Sequence, residues 1–389
     1  MGPLDWNLNP RPTAWTNAPA NLLFVDNPVG AGYSYVDNLS LLPKTNADIA
    51  KDLVALMAAF FAKYTELQST PLFVFTESYG GKMAATFSVA LHAAVQAGAV
   101  KANFKGYVMG DSWIDGTDHV DAWCPFLRKV DLIDDAQLAA CLVPVQRCDA
   151  ATTAGDWQGA INAWGDTEGV IDGITDQVDF YNILKHGSAG DIMRRRKPEL
   201  ALGAAELALA PAGVRADALQ RLFTNHLSVY LGDPLDALMN GPIRKKLGII
   251  PSNVTWGGQS GAVFSSLSLD FMKPVWGDVD AALALNGAIN VTVEEGQLDL
   301  ICSAMGADLW MARLQWAGMP AYYASPRTPR YASDVDAQNH ATSGFIKRAP
   351  APYAHFARYD VLSAGHMVPL DNGPGALEMV RELTGLKSY

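Results

Sequence analysis

The stretch Thr76-Glu77-Ser78-Tyr79-Gly80-Gly81 wedges a serine between a short apolar run, Leu72-Phe73-Val74-Phe75, and a helix-like segment, Gly80-Gly81-Lys82-Met83-Ala84. A serine on a sharp strand-to-helix turn presents its Oγ at the top of a sheet, where the helix N-terminus favours developing negative charge. The small Gly80 lets such a turn close. Thr76 stands where the G-x-S-x-G pattern has its first glycine, so that pattern is met only in part. The same residues also fit a plain structural use, with Ser78 as a helix N-cap and Glu77 as a first-turn carboxylate.

A serine hydroxyl is a weak nucleophile until a histidine, held by a carboxylate, takes its proton. On a strand–turn–helix scaffold of this kind the chain order is serine, acid, histidine. Of the seven histidines, His92 falls in a helical pattern, and His119, His186 and His226 fall in the middle of the chain. His340 lies in a polar loop and His355 starts a strand. His366 follows the strand-like segment His355 to Leu362, in the turn Ser363-Ala364-Gly365-His366-Met367-Val368-Pro369. A loop at a strand's C-terminal end is where an α/β sheet places functional groups. The acid should follow an earlier strand. Ile289 to Val293 is such a run, and Asp299 lies just beyond the glycine turn that ends it. Glu294 and Glu295 remain alternatives, and Asp299 also fits a helix cap before Leu300 to Trp310.

These residues need a sheet to hold them. Strand-like runs occur at Leu22 to Val25, Leu72 to Phe75, Tyr107 to Met109, Ile289 to Val293 and His355 to Leu362. Alanine-rich helical patterns, Asn46 to Tyr64 and Gly81 to Ala97, lie between some of them, and Gly98 suits a helix C-terminus. Such alternation implies a mostly parallel sheet covered on both faces. From about residue 119 to 235 strand signal is weak, and helical stretches are separated by loops such as Gly187-Ser188-Ala189-Gly190. The expected division is a core of residues 1–118 and 236–389 with a helical insertion at 119–235. Within the insertion, Arg194-Arg195-Arg196-Lys197-Pro198 reads as a solvated basic loop, with a site for proteolytic nicking as the alternative.

Of 389 residues, 49% are hydrophobic and 18% charged, which fits a well-buried globular chain. A net charge of −11 argues against nucleic acid or anionic membranes as partners. The longest apolar run, Leu53 to Ala62, falls short of the ~18 residues a membrane span needs. Cys124, Cys141, Cys148 and Cys302 form no CxxC motif. Cys141 and Cys148 are close enough in sequence to pair in an oxidising compartment, and free buried thiols are the alternative. Glycosylation sequons begin at Asn38, Asn253 and Asn290 and lean towards secretion. The first residues, Met1-Gly2-Pro3-Leu4-Asp5-Trp6, lack the basic start and apolar segment of a signal peptide.

The sequence resembles the serine carboxypeptidase family. The resemblance is carried by Leu23-Phe24-Val25-Asp26-Asn27-Pro28-Val29-Gly30, Glu77-Ser78-Tyr79-Gly80-Gly81-Lys82-Met83-Ala84-Ala85 and Gly110-Asp111-Ser112-Trp113-Ile114. It continues in Met239 to Leu247, Gly296-Gln297-Leu298-Asp299-Leu300-Ile301 and Ala364-Gly365-His366-Met367-Val368-Pro369. It implies an α/β-hydrolase fold, a mostly parallel central sheet flanked by helices, with a helical lid. It implies removal of single residues from peptide C-termini, without metal or cofactor. Carried over by position, Ser78 is the nucleophile, His366 the general base and Asp299 its orienting acid. The Tyr79 backbone N–H is an oxyanion donor, and Glu77 binds the substrate's terminal carboxylate. Glu77 would share a proton with a second acid, in keeping with the family's preference for acidic pH. Localisation in the secretory pathway, extracellular or lysosomal/vacuolar, follows from the same resemblance. The family also carries, upstream of the stretch matching Gly2, a Trp-rich strand and a Gly-Gly-Pro-Gly type loop. That loop supplies a second oxyanion donor. On this reading the sequence is N-terminally incomplete, with a strand missing between Leu22 to Val25 and Leu72 to Phe75. A serine carboxypeptidase-like acyltransferase and a catalytically impaired or non-catalytic homologue are the alternative functions.

Overall fold

Phe73, Val74 and Phe75 belong to the first strand of a six-stranded sheet seen in the computed structural model, which describes residues 1–5, 7–186, 202–222 and 233–385. The strands are β1 (Pro71–Ser78), β2 (Asn103–Ser112), β3 (Asn290–Gly296), β4 (Arg327–Arg330), β5 (Gly344–Arg348) and β6 (Phe356–Val361). Their order is β1-β2-β3-β6-β5-β4. The first four in that order run parallel, and β5 and β4 finish the sheet antiparallel. The sequence reading missed β4 and β5. Arg327-Thr328-Pro329-Arg330 is mostly exposed and holds a proline, as suits an edge strand.

Parallel strands joined by crossovers must bury both faces. Accordingly Met109, Val291 and Val293 are fully buried on one face, and Val108, Ala357 and Tyr359 are buried on the other. Helix α1 (Asn46–Lys63) starts at a capping box between Thr45 and Asp48. Helix α2 (Tyr79–Gln96) ends at Gly98, where φ is +72°. There Gly98 N–H donates to Val95 O and Ala99 N–H to Ala94 O, the paired bonds of a glycine C-terminus. Met57 and Phe61 of α1 join Ala84, Ala85 and Leu91 of α2 in the main core.

Leu22 to Val25 departs from expectation. It runs as irregular chain, with Leu23, Phe24 and Val25 exposed. A strand exists only by pairing, and among the described residues β1 pairs with β2 alone, so β1 forms the sheet's edge.

Between β2 and β3 lie helices α3 (Gly116–Lys129), α4 (Asp135–Thr153) and α5 (Trp157–Thr175) around the fully buried Trp123 and Trp164. Among the described residues of 119–235 the β-type pairing is the bridge between Val178 and His186. Arg194 to Pro198, Gly187 to Gly190 and His226 lie outside the described residues. The cysteine pairing also differs from expectation: Cys124 on α3 bonds Cys141 on α4, with Cα atoms 6.0 Å apart, and Cys148 and Cys302 are free and buried. Cys141 and Cys148 share one helix, and seven residues at 1.5 Å rise put them about 10 Å apart, beyond a disulfide's reach. No described helix is long and apolar enough to cross a membrane.

Candidate active site

The parallel strands end together at Ser78, Ser112, Gly296 and Val361, and the candidate residues gather at that edge. Ser78 joins β1 to α2 with φ 62° and ψ −130°, a conformation L-residues rarely hold outside strained functional turns. Its side chain caps nothing, so the N-cap use is not the one adopted. Ser78 O accepts from Trp113 N–H at 3.0 Å, which ties the turn to the chain beyond β2. The imperfect motif has a packing reason. Thr76 Oγ1 bonds Val108 O at 3.0 Å, and a Cβ on residue 80 would lie 3.2 Å from Thr76 Cβ. With threonine at 76, any side chain at 80 would have to push Thr76 aside by a few tenths of an ångström, which favours glycine there. A Cβ on residue 81 would sit 2.0 Å from Ser112 Oγ, so α2 can start this close to β2 only with glycine there.

His366 and Asp299 are both fully buried, and His366 Nδ1 lies 2.8 Å from Asp299 Oδ2. With the proton on Nδ1 donated to Asp299, Nε2 is left as an acceptor. Nε2 has no hydrogen-bond partner among the described residues, so Ser78 and His366 are gathered at one edge without being bonded. Glu294 and Glu295 lie within β3 itself, and Asp299 is the acid that meets the imidazole. The helix beyond Asp299 starts only at Ala304 and is capped by Ser303, so Asp299 is no cap.

The electrostatics follow from this burial. Desolvation pulls His366 down, but the charge and hydrogen bond of Asp299, with Glu77 adding, leave its pKa above the ordinary imidazole value. Desolvation raises Glu77, Asp299 raises it further, and His366 partly offsets both. Glu77 and Glu294 occupy one row of the sheet, each in register with Gly110 of β2. Glu294 is pushed up to about 8 by burial and by Glu77, against Arg330. Tyr79 opens α2, so its N–H has no intrahelical acceptor, and its ring stacks on Phe271 at 5.9 Å.

Several contributors carried no sequence signal. Phe180 O accepts from the N–H groups of Leu300 and Ile301, and Tyr181 O from His366 N–H at 2.8 Å. The Tyr181 ring lies 4.8 Å from the imidazole. Asp371 Oδ2 takes Gly365 N–H and Asn182 Nδ2. A segment of the helical region thus clamps both loops that carry His366 and Asp299. A Cβ on residue 365 would meet Tyr181 O at 2.1 Å, which explains that glycine. Cys302 brings its sulfur near Asp299 and His366. Burial first, then the surrounding carboxylates, push its thiol pKa well above the ordinary value.

A mostly parallel sheet with a strained serine elbow and a buried acid–histidine pair at its C-terminal edge defines an α/β hydrolase. The chain belongs to the serine carboxypeptidase family, whose profile matches residues 1–385. It is 41% identical over 384 residues to the retinoid-inducible serine carboxypeptidases of Rattus norvegicus and Homo sapiens, covering 99% of this chain and 79% of each relative. It is 36% identical over 395 residues to serine carboxypeptidase-like 51 of Arabidopsis thaliana, covering 99% and 80%. Among solved structures, a prohormone-processing carboxypeptidase of Saccharomyces cerevisiae shares the fold with a TM-score of 0.71 at 17% identity, covering 99% of this chain and 78% of that one.

Proposed function

We propose that this protein hydrolyses the C-terminal peptide bond of peptides and proteins through an acyl-enzyme on Ser78. The buried Asp299–His366 pair, whose Nε2 is left as an unpartnered acceptor, carries this reading. Nε2 takes the Ser78 proton as Oγ attacks the scissile carbonyl, and returns it to the leaving amino group. Water then gives a proton to Nε2 as its oxygen bonds the acyl carbon, and Nε2 passes that proton to Ser78 Oγ as the ester bond breaks and the acyl group leaves as the acid. Asp299 stabilises the imidazolium formed in both halves. The Tyr79 N–H, at the head of an 18-residue helix, suits the developing oxyanion. Glu77, its pKa raised chiefly by burial, is suited to donate a proton in a hydrogen bond to the substrate's terminal carboxylate. That contact favours an exopeptidase over an endopeptidase.

In this reading residues 1–118 and 236–389 are the catalytic core and 119–235 a helical lid, whose Phe180 and Tyr181 brace the site. The Cys124–Cys141 disulfide and the exposed sequon asparagines Asn38, Asn253 and Asn290 support passage through the secretory pathway. The test combines fluorophosphonate labelling with mass spectrometry of peptide products. Expected are a single adduct on Ser78, absent in Ser78→Ala, and loss of residues one at a time from free but not amidated C-termini. Internal cleavage, or equal action on amidated peptides, would overturn the assignment.

A further inference from the structure

Asp111 lies outside the proposed triad but within its support. Glu77 pairs with Gly110 and Ser78 with Ser112, so Asp111 is the unpaired residue of a bulge at the end of β2. Bulges beside active sites re-aim side chains. Here φ is +40°, a region in which aspartate is tolerated better than most residues. The side chain is fully buried, and Oδ1 accepts Gly296 N–H at 2.6 Å. Gly296 opens the turn whose other end is Asp299, closed by Asp299 N–H to Gly296 O at 3.3 Å. Asp111 Oδ2 has no partner among the described residues, nor do Asp299 Oδ1 and both Glu295 oxygens.

We propose that Asp111 is a positioning residue for the triad acid: from its bulge it pins the Gly296–Asp299 turn, and it does so as the neutral carboxyl, leaving the negative charge beneath His366 on Asp299. The inference rests on the hydrolase reading above. The ionisable groups around Asp111 are Glu294 and Glu295 from β3, and Asp299 and Cys302 from the following turn. Glu77 of β1 and His366 act on the same turn, and Arg358 of β6 offsets Glu295. The charges acting most strongly on Asp111 are all negative, and one backbone N–H does not replace the hydration of a buried carboxylate. A proton on Oδ2 turns an orphaned acceptor into a donor where the strongest neighbouring charges are carboxylates. Two neighbouring acids held in opposite protonation states are a recurrent way of dividing roles.

Asparagine keeps the acceptor and the neutral donor. Glycine keeps the bulge and its positive φ but removes the side chain. The test compares wild type, Asp111→Asn and Asp111→Gly by NMR titration of the low-field His366 Nδ1–H proton in the free protein, and by kcat and KM on a blocked dipeptide. Asp111→Asn should retain the wild-type His366 pKa and kcat. Asp111→Gly should lose the low-field resonance and about 10²-fold in kcat with KM little changed, the cost of a misplaced group. A His366 pKa lowered by about one unit or more in Asp111→Asn would mean that Asp111 is charged, and would overturn the proposal. So would wild-type kcat or an intact resonance in Asp111→Gly. If wild type neither hydrolyses peptides nor labels, the hydrolase reading fails, while the titrations still decide the role of Asp111. Should Asp111→Gly not fold, the Asp111→Asn titration alone can overturn the neutral state.

Discussion

Replacing Asp299 with asparagine removes the charge on which a buried imidazolium depends. His366 is fully buried, so its positive form finds no compensating solvent, and Asp299 Oδ2 lies 2.8 Å from Nδ1. Taking the charge centres about 4 Å apart and an effective dielectric of about 20, the attraction is about 4 kcal/mol. At 1.36 kcal/mol per tenfold, that alone slows the step forming the imidazolium by about 10³-fold. Asparagine also presents an N–H to Nδ1 and drives the proton to Nε2, where it blocks the base. Together the losses should reach about 10⁴ in kcat, with KM little changed, because the interaction grows only as charge develops. Steady-state kinetics on a blocked dipeptide, with circular dichroism to confirm folding, measure this. A folded Asp299→Asn enzyme within tenfold of wild type would refute the triad assignment.

Glu77→Gln tests the carboxylate-binding role. Burial foremost, then Asp299, raises the Glu77 pKa, so wild-type substrate binding should weaken as pH rises through that value. The glutamine variant should lose this alkaline dependence. An unchanged profile of kcat/KM against pH would exclude the role. Glu294, raised to about 8 chiefly by burial, holds its proton more tightly folded than unfolded. Its contribution is therefore complete below its unfolded pKa of about 4.5 and lost as pH rises towards about 8. Melting temperatures should fall across that window, and more gently in Glu294→Gln; equal slopes would count against a buried proton there. The Cys124–Cys141 bridge spans a sequence separation of 17, worth about 3 kcal/mol by loop entropy, so replacing both cysteines with serine should lower the melting temperature. A wild-type melt that ignores reductant would argue against the bridge.

The sequence alone determined what depends on local pattern. Runs rich in β-branched and aromatic residues, bounded by turn residues, announced β1, β2, β3 and β6, because a parallel strand covered on both faces is rich in such residues. Chain order pointed to Ser78, to an acid among Glu294, Glu295 and Asp299, and to His366, because in this fold the loops following successive strands end at one edge. Tertiary structure decided whatever required a partner. Leu22 to Val25 has the composition of a strand and is not one, since pairing, not composition, makes a strand. Cys141 bonds Cys124 on a neighbouring helix, because a shared helix holds Cys148 too far away. Glu294, Glu295 and Asp299 are the same chemistry within six residues, and only the fold shows which carboxylate reaches the imidazole. The grip of Phe180 and Tyr181 on the loops that carry Asp299 and His366, and the bulge that aims Asp111 at Gly296, arise where segments distant in sequence meet, so no local pattern encodes them.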